Sequence, residues 1–404
     1  MRRMAPALVA LTLCTLGFAE TNCCQSTQTC PAPTPPAPCW PDTTPDCPYC
    51  LGPDCVNPDV RPIHCGGDFT FYGAAIWWNA NEDGLAFAVD TTQSISHPPF
   101  SVIHARYARP QAHWELGFKV GIGYNTTFNG WDADLTWTHY QGRASEEVEA
   151  DPSDNHTLLT LWSAYADTCN HITTVASFAG AQWKLQLDLL DFELGREFWT
   201  GRYLTLRPFI GLRYGRIRQH YNIQYSGGSY AGSITHRVCE FNPRYPFGDD
   251  YISMSNVFKG TGVRSGLDTV WNIGRGVSFY GNLALSLLYG RFHMNQNEDV
   301  VAPVSPFSTT NILSSEDGFR ASRAMTDLAV GIQYSTLFND CQYGFTLALG
   351  WEHHLFFNQN QLWRVEMPAT VDTDGDVAVG VDIIQESRGD LSTQGWTLSA
   401  SFEF

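Results

Sequence analysis

The feature of this sequence that most restricts its fold is a regular alternation of apolar residues with small, polar or charged ones. Between Trp114 and Tyr124 every even position is apolar, and the odd positions hold Glu115, Gly117, Lys119, Gly121 and Gly123. Successive side chains of a β-strand point to opposite faces, so a period of two indicates strands with one apolar face. The pattern returns in segments that begin near Phe69, Gly84, Trp114, Gly130, Leu158, Trp183, Tyr203, Ser253, Val277, Asp327, Tyr343 and Gln394. It predicts an all-β fold.

Two kinds of β structure share this pattern: a soluble sandwich or barrel with apolar side chains inside, and a membrane barrel with them outside. The membrane barrel is favoured because aromatic residues such as Trp114, Tyr124 and Trp351 stand at segment ends, where interfacial girdles lie. Charged residues make up only 16% of the chain, and beyond its start no apolar run is long enough for a membrane helix. We therefore expect a transmembrane antiparallel β-barrel of about 12 strands, within a range of roughly 10 to 14.

The last strand ends the chain on an aromatic residue. Apolar positions alternate with polar ones up to the final residue, namely Trp396, Leu398, Ala400, Phe402 and Phe404. A terminal Phe on such a strand looks like the assembly signal of bacterial outer-membrane proteins. The alternative is a coincidental Phe on an ordinary strand.

The N-terminus has the three-part pattern of a secretion signal. Arg2 and Arg3 precede an apolar stretch, and the small residues Gly17 and Ala19 stand just before Glu20. A short membrane anchor is the alternative interpretation. We expect a signal peptide at 1–19, a Cys/Pro-rich periplasmic segment at 20–65 and an outer-membrane barrel at 66–404.

The segment before the barrel is rich in cysteine and proline, which prevents regular helix or ladder formation. Its cysteines are Cys23, Cys24, Cys30, Cys39, Cys47, Cys50, Cys55 and Cys65. In an oxidising compartment they are expected to form disulfides. A redox motif at Cys47 and Cys50 and a zinc site that adds Cys55 and His64 are the alternatives.

The exported chain carries an odd number of cysteines. Cys169, Cys239 and Cys341 lie in the barrel region and bring its total to 11, once Cys14 leaves with the signal peptide. At least one thiol therefore stays free or pairs outside the chain. We expect disulfides to other envelope proteins or to copies of this chain, with compact internal pairing as the alternative.

Charged residues at the polar positions of the strands are candidates for the lining of a water-filled lumen. They are Glu115, Lys119, Asp132, Asp134, Lys184, Asp188, Arg207, Arg213, Arg264, Asp268, Asp327 and Glu352. Such mixed charges favour small polar or ionic solutes. Acids outnumber bases seven to five in this set, which predicts a mild cation preference. We expect a porin for passive diffusion of small hydrophilic solutes or ions; the alternative is a structural envelope protein or adhesin that acts through long loops.

Other activities find little support in the sequence. A formal net charge of -17 disfavours nucleic-acid partners. The acidic turn at Asp372, Asp374 and Asp376 lacks the Gly and Glu spacing of an EF-hand. His353 and His354 are adjacent and would face opposite sides of a strand, so interfacial or loop histidines are expected there rather than a metal site. No phosphate loop or nucleophile elbow is present, so we expect no enzyme, no cofactor and no metal.

Three longer stretches resemble a known family. They are residues 190–209 (LDFELGREFWTGRYLTLRPF), 259–291 (KGTGVRSGLDTVWNIGRGVSFYGNLALSLLYGR) and 349–361 (LGWEHHLFFNQNQ). They look like the pore-forming major outer-membrane protein family known from Legionella, in the form carried by chlamydia-related bacteria. The resemblance covers most of residues 66–404. It implies an outer-membrane β-barrel that conducts small solutes, and the cysteine-rich segment is similar to the disulfide-linked envelopes of Chlamydiae.

Overall fold

A computed structural model of the protein describes residues 67–92, 103–126, 130–150, 156–164, 173–200, 203–227, 229–231, 248–302, 307–338, 343–366 and 383–404. The predicted signal peptide, the Cys/Pro-rich segment, every cysteine and the acidic turn at 372–376 lie outside these residues. Within the described ranges, no helix has the length and apolar content to cross a membrane.

The described residues form eighteen strands. In chain order they are β1 (Asp68–Glu82), β2 (Ala88–Thr92), β3 (Ile103–Ala108), β4 (Gln111–Ala112), β5 (Trp114–Asn125), β6 (Trp131–Glu149), β7 (His156–Thr160), β8 (Thr173–Ala176), β9 (Phe178–Arg196), β10 (Phe198–Trp199), β11 (Leu204–Ser226), β12 (Ser229–Ala231), β13 (Asp249–Gly274), β14 (Val277–Val301), β15 (Thr309–Asp317), β16 (Arg320–Phe338), β17 (Tyr343–Glu366) and β18 (Ile383–Glu403).

Ten of these strands form one closed antiparallel barrel. Their order is β1, β5, β6, β9, β11, β13, β14, β16, β17 and β18, and β18 pairs back onto β1 between Thr70–Glu403 and Glu82–Leu391. Closure leaves no unpaired sheet edge, which a lipid environment requires. The predicted transmembrane β-barrel is confirmed, and its ten strands are at the lower limit of the expected range.

Two of the twelve predicted segments are not barrel strands but belong to a second sheet. The segments predicted to begin near Gly84 and Leu158 form β2 and β7, which pair with each other and continue into a five-stranded sheet with β3, β8 and β12. These strands have three to six residues, too short to cross a bilayer. They belong to the connections that follow β1, β6 and β11.

The connections differ in length at the two ends of the barrel. At one end lie both chain ends of the barrel and the short turns 126–130, 197–203, 275–276 and 339–342. The strand ends on the opposite side are linked by five longer stretches of sequence, residues 83–113, 150–177, 227–248, 302–319 and 367–382, which the structure describes only in part. Bacterial outer-membrane barrels keep short turns in the periplasm and long loops outside the cell. The short-turn end is therefore the periplasmic end.

An apolar band surrounds the periplasmic part of the barrel. On β14 it contains Val277, Phe279, Leu283, Leu285, Leu287 and Tyr289, all of them exposed on the outer face. Aromatic rings border the band on both sides. On the periplasmic side the ring centroids of Phe69 and Tyr124 are 4.9 Å apart, and on the opposite side those of Trp77 and Trp114 are 5.0 Å apart. The eight residue-to-residue steps from Phe69 to Trp77 cover roughly 27 Å along the strand. Allowing for tilt, this is close to the height of a bilayer core.

Beyond the band, on the extracellular side, the polarity of the two faces of the barrel wall is reversed: the inner face becomes apolar and the outer face polar. On β9 the outward residues Leu190, Phe192 and Leu194 are about two-fifths exposed, whereas further up Leu185 and Leu187 point inward and are buried. The exchange takes place where two apolar residues are adjacent, as at Trp77–Trp78 and Leu287–Leu288, whose first members are outward and exposed and whose second are buried. The barrel thus has a membrane section, inside the apolar band, and an outer section with an apolar interior.

Candidate functional site

The inner face of the membrane section carries charged side chains from seven strands. This lumen charge network consists of Lys119, Asp132, Asp134, Asp191, Glu193, Arg207, Arg213, Arg264, Asp268, Asp327, Glu352 and His354. Nine of the twelve positions predicted from the sequence are members. Their presence on the inner face agrees with the alternation, and their role as a pore lining stays a prediction.

Arg207 on β11 is the cation of the first half of the network. Its Nη2 lies 2.5 Å from a carboxylate oxygen of Asp132 and 2.5 Å from one of Asp134, both on β6. Its Nη1 lies 2.7 Å from Asp268 on β13 and 3.5 Å from Glu193 on β9. One guanidinium therefore binds four carboxylates, and this part of the lumen carries excess negative charge.

Arg213 and Arg264 form the second half. Arg213 donates to both oxygens of Asp191, at 2.6 and 2.7 Å, and lies 2.8 Å from Asp327. Arg264 lies 2.8 Å from Glu193 and also pairs with Asp327. Strands β13 and β14 separate β11 from β16 in the wall, so the contact between Arg213 and Asp327 crosses the lumen.

A second contact crosses the lumen from the other side. Lys119 on β5 lies 2.5 Å from Glu352 on β17, although β1 and β18 separate these strands in the wall. The ring of His354 lies 2.7 Å from Asp327 through Nδ1 and 3.2 Å from Glu352 through Nε2, and it links the two halves. The side chain of Arg213 is 2% exposed and that of Asp327 is 9% exposed. The network therefore fills the lumen at this height.

Three members of the network were not predicted. Asp191 and Glu193 alternate with Leu190, Phe192 and Leu194 of the apolar band, a local signal that could have placed them inside. His354 was expected at an interface or in a loop, and that expectation was wrong because its ring is buried in the lumen. The expectation that His353 and His354 face opposite sides is confirmed, since His353 lies on the outward face of β17.

Three predicted positions lie elsewhere. Lys184 and Asp188 are on the outer face of β9, because the faces exchange between Leu189 and Leu190 and polar residues above that point are outward. Asp188 there lies 2.7 Å from the ring of His139. Glu115 lies at the upper edge of β5, 3.8 Å from the exposed Arg143, and outside the network.

Above the network, the interior of the outer section is packed with apolar side chains. The connection after β1 enters it, and inward hydroxyls of β11 hold its backbone: Tyr221 donates to the carbonyl of Leu85 and Tyr225 to that of Phe87, each at 2.6 Å. The Trp162 indole donates to the carbonyl of Ala86 at 2.8 Å and is fully buried. The second sheet is thereby attached to the inside of the barrel.

In the part of the chain that the structure describes, no group of three or more His, Asp or Glu side chains is arranged to hold a metal ion. The charged groups of the lumen charge network are carboxylates, guanidinium groups, the ammonium of Lys119 and the imidazole of His354.

A closed ten-stranded barrel with an apolar outer band, two aromatic girdles and a charged interior defines an integral protein of the bacterial outer membrane. The chain belongs to the family described as Legionella pneumophila major outer membrane protein precursor, whose profile matches residues 66–404. This match confirms the resemblance of the three stretches and the outer-membrane location.

No curated protein sequence matches the chain. Among solved structures, the outer membrane protease OmpT from Escherichia coli has 10% identity and a TM-score of 0.33 over 83% of this chain and 96% of its own. A Pseudomonas aeruginosa FadL homologue has 8% identity and a TM-score of 0.27 over 84% and 90%. The family assignment rests on the profile match.

Proposed function

We propose that the protein conducts small ions and small polar solutes across the outer membrane and catalyses no reaction. The observation that carries this proposal is the placement of twelve ionisable side chains inside a wall whose outer face is apolar. Charged side chains at membrane depth often mark ion pathways, because a charge that faces lipid is costly and such residues face the interior of the protein. A purely structural barrel could fill the same space with apolar side chains.

The lumen in this conformation is narrow, since ion pairs cross it. Conduction therefore requires the contacts of Lys119 with Glu352 and of Arg213 with Asp327 to exchange for contacts with a passing ion. The apolar packing around Trp162 and Tyr225 must also open, or the ion must pass beside it. We expect a low conductance with discrete openings, through a lumen narrower than the water-filled one that the sequence predicted.

The network favours cations. It contains seven carboxylates against the four cations Lys119, Arg207, Arg213 and Arg264. His354, whose two ring nitrogens both face carboxylate oxygens, adds a fifth cation when protonated, and the carboxylates still outnumber the cations seven to five. A ring of excess negative charge selects cations in a pore. The proposal retains the mild cation preference, although the set of residues that supports it has changed.

Planar-bilayer recording with purified protein tests the proposal. Wild-type protein should give discrete steps and a reversal potential that reports cation preference in a salt gradient. Asp134→Asn should reduce that preference, because Asp134 is the most exposed carboxylate of the network at 36%, and Arg207 keeps three other partners. Asp188→Asn is the matched control, since Asp188 lies on the outer face and should change nothing. Bilayers without steps would reject conduction.

A surface scaffold or adhesin is the second candidate function. The observation that favours it is the set of five long connections at the extracellular end, combined with the filled interior of the outer section. Deleting residues 367–382 should abolish attachment to surfaces or partner proteins under this alternative, while conductance stays at the wild-type value.

A further inference from the structure

A row of four basic residues lies on the outward face of four adjacent strands. Arg216 on β11 is directly opposite Lys259 on β13, Lys259 is opposite Arg291 on β14, and Arg291 is opposite Arg320 on β16. We call these residues the basic row. Neighbouring strands are about 4.8 Å apart, so the row is roughly 14 Å long.

The basic row lacks acidic partners within the described residues. None of its four side chains forms an ion pair or a hydrogen bond with another described residue, and Nε of Arg216 is buried without a partner. The acid nearest in register is Asp188, opposite Arg216, whose carboxylate lies 2.7 Å from His139. Like charges directly opposite each other on a sheet are destabilising. Four basic residues opposite one another in succession therefore repel each other, and a bound anion would stabilise them.

The position of the basic row indicates which anion. On β11 Arg216 follows the exposed Tyr214 of the apolar band, and on β14 Arg291 follows the exposed Tyr289. On β16 three small outward residues, Thr326, Ala324 and Ser322, separate Arg320 from Leu328. Strands of such barrels tilt by about 40°, so the row rises obliquely from the edge of the band. This height, at the end with long connections, is that of the head groups of the outer leaflet.

A groove adjoins the lower end of the row on the same outer wall. It has a volume of about 480 Å³; its apolar side is formed by Phe118, Trp137 and Tyr214, and its polar side by His139, Gln186, Asp188 and Arg216. An apolar floor below a polar rim matches a lipid molecule at the point where its acyl chains meet its head group.

We propose that the basic row binds the phosphate groups of an outer-leaflet lipid, with the adjoining groove taking the upper part of the lipid. Anionic lipids bind clustered Lys and Arg at a membrane surface, and guanidinium groups bind phosphate bidentately. The length of the row suits a head group with two phosphates better than one with a single phosphate. This site lies on the lipid-facing wall, so it is independent of the proposed conduction.

The test compares two lipids that differ only in phosphate. Native mass spectrometry of the full chain in detergent measures binding of a diphosphorylated glucosamine-disaccharide lipid and of its dephosphorylated form. Wild-type protein should bind the diphosphorylated lipid at least about tenfold more tightly, since each basic residue near a membrane surface contributes about fivefold. Inorganic phosphate at millimolar concentration should not displace it.

A pair of matched variants locates the site. Lys259→Gln with Arg291→Gln should remove most of the preference for the phosphorylated lipid. The control is Arg143→Gln with Lys184→Gln, which removes an equal charge from another directly opposed outward pair, on β6 and β9. This control should retain the preference for the phosphorylated lipid. Equal loss in both variants, equal binding of the two lipids, or displacement by inorganic phosphate would each overturn the proposal. The conductance of Lys259→Gln with Arg291→Gln should equal that of wild type.

Discussion

At the scale of single residues, Arg213 illustrates how charge is stabilised in the lumen. Its guanidinium is almost fully buried and contacts Asp191 and Asp327, which are themselves 10% and 9% exposed. A buried ion pair adds little stability by itself, but removal of one partner leaves the other charge without compensation. The cations of the lumen charge network therefore fix the shape of the interior as well as its charge.

Arg213→Ala should destabilise the barrel by about 3 to 5 kcal/mol, because it leaves Asp191 and Asp327 buried without this cation. Urea unfolding in lipid vesicles measures the change. Arg143→Ala is the control, since its contact with Glu115 is long and its side chain is 65% exposed. That variant should lose less than about 1 kcal/mol. Equal losses in the two variants would contradict the structural importance of the network.

A second residue predicts a pH dependence in the outer section. Asp250 lies on the inner face of β13, far above the apolar band, and is fully buried. Burial raises the pKa of Asp250 to about 6, from about 3.9 in an unfolded chain. The unfolded state therefore loses this proton first, and the contribution of Asp250 to folding falls as the pH rises from about 4 to about 6.

Asp250→Asn should remove this pH-dependent contribution. The variant should be more stable than wild type by about 3 kcal/mol at pH 7, with little difference at pH 4. Unfolding by urea across this pH range measures it. Asp299→Asn, on the outward face of β14, is the control and should follow wild type. A constant difference between Asp250→Asn and wild type at all pH values would exclude titration of Asp250 as the cause.

At the scale of elements, the outer face of each long strand has two parts, one that faces lipid and one that faces water. The outward side of β14 is apolar up to Tyr289 and then continues with Arg291, His293, Asn295 and Asn297. Its inward side changes in the opposite sense, from Ser286 to the buried Leu288 and Phe292. A strand of 25 residues is longer than a bilayer requires, and the excess forms a wall in water.

Leu283→Arg and Asn295→Arg test this division on one face of one strand. Leu283 is in the middle of the apolar band, where an arginine costs about 2 to 4 kcal/mol, whereas Asn295 is above the band, where the cost is near zero. Folding yield into vesicles and urea midpoints should fall for Leu283→Arg alone. A comparable loss for Asn295→Arg would place the membrane boundary higher than the aromatic girdle.

The sequence predicted the barrel, its alternation and most of the lumen charge network, because period two needs only local information. It misplaced Lys184 and Asp188 because an alternation does not say which face meets lipid once a strand leaves the bilayer. The adjacent apolar residues at Leu189–Leu190 and Leu287–Leu288 were the available signal of that change. The barrel has ten strands, the lower limit of the expected range, because two of the twelve predicted segments are short strands of a connection with the same period as barrel strands.

At the scale of the whole molecule, the barrel follows an N-terminal segment with eight cysteines, which lies outside the described residues. The barrel satisfies its own backbone hydrogen bonds by closure and needs no covalent support. Disulfides from this segment to other envelope proteins, or between copies of the chain, therefore stay a prediction about assembly in the envelope.

Electrophoresis of whole envelopes without reductant should give species that collapse to about 45 kDa only when reductant is added. Replacement of the eight cysteines from Cys23 to Cys65 by serine should leave a monomer band under both conditions, with the conductance unchanged. A single monomer band from wild-type envelopes without reductant would refute cross-linking.

The exchange of faces above the apolar band also determines how much of the purified protein a detergent micelle can cover. Surfactant tails adsorb to apolar walls, and only the periplasmic part of the wall is apolar on its outside. The belt of surfactant should therefore be low on the particle and leave the extracellular part bare and available for crystal lattice contacts. Its mass should resemble that of a much shorter barrel with the same circumference.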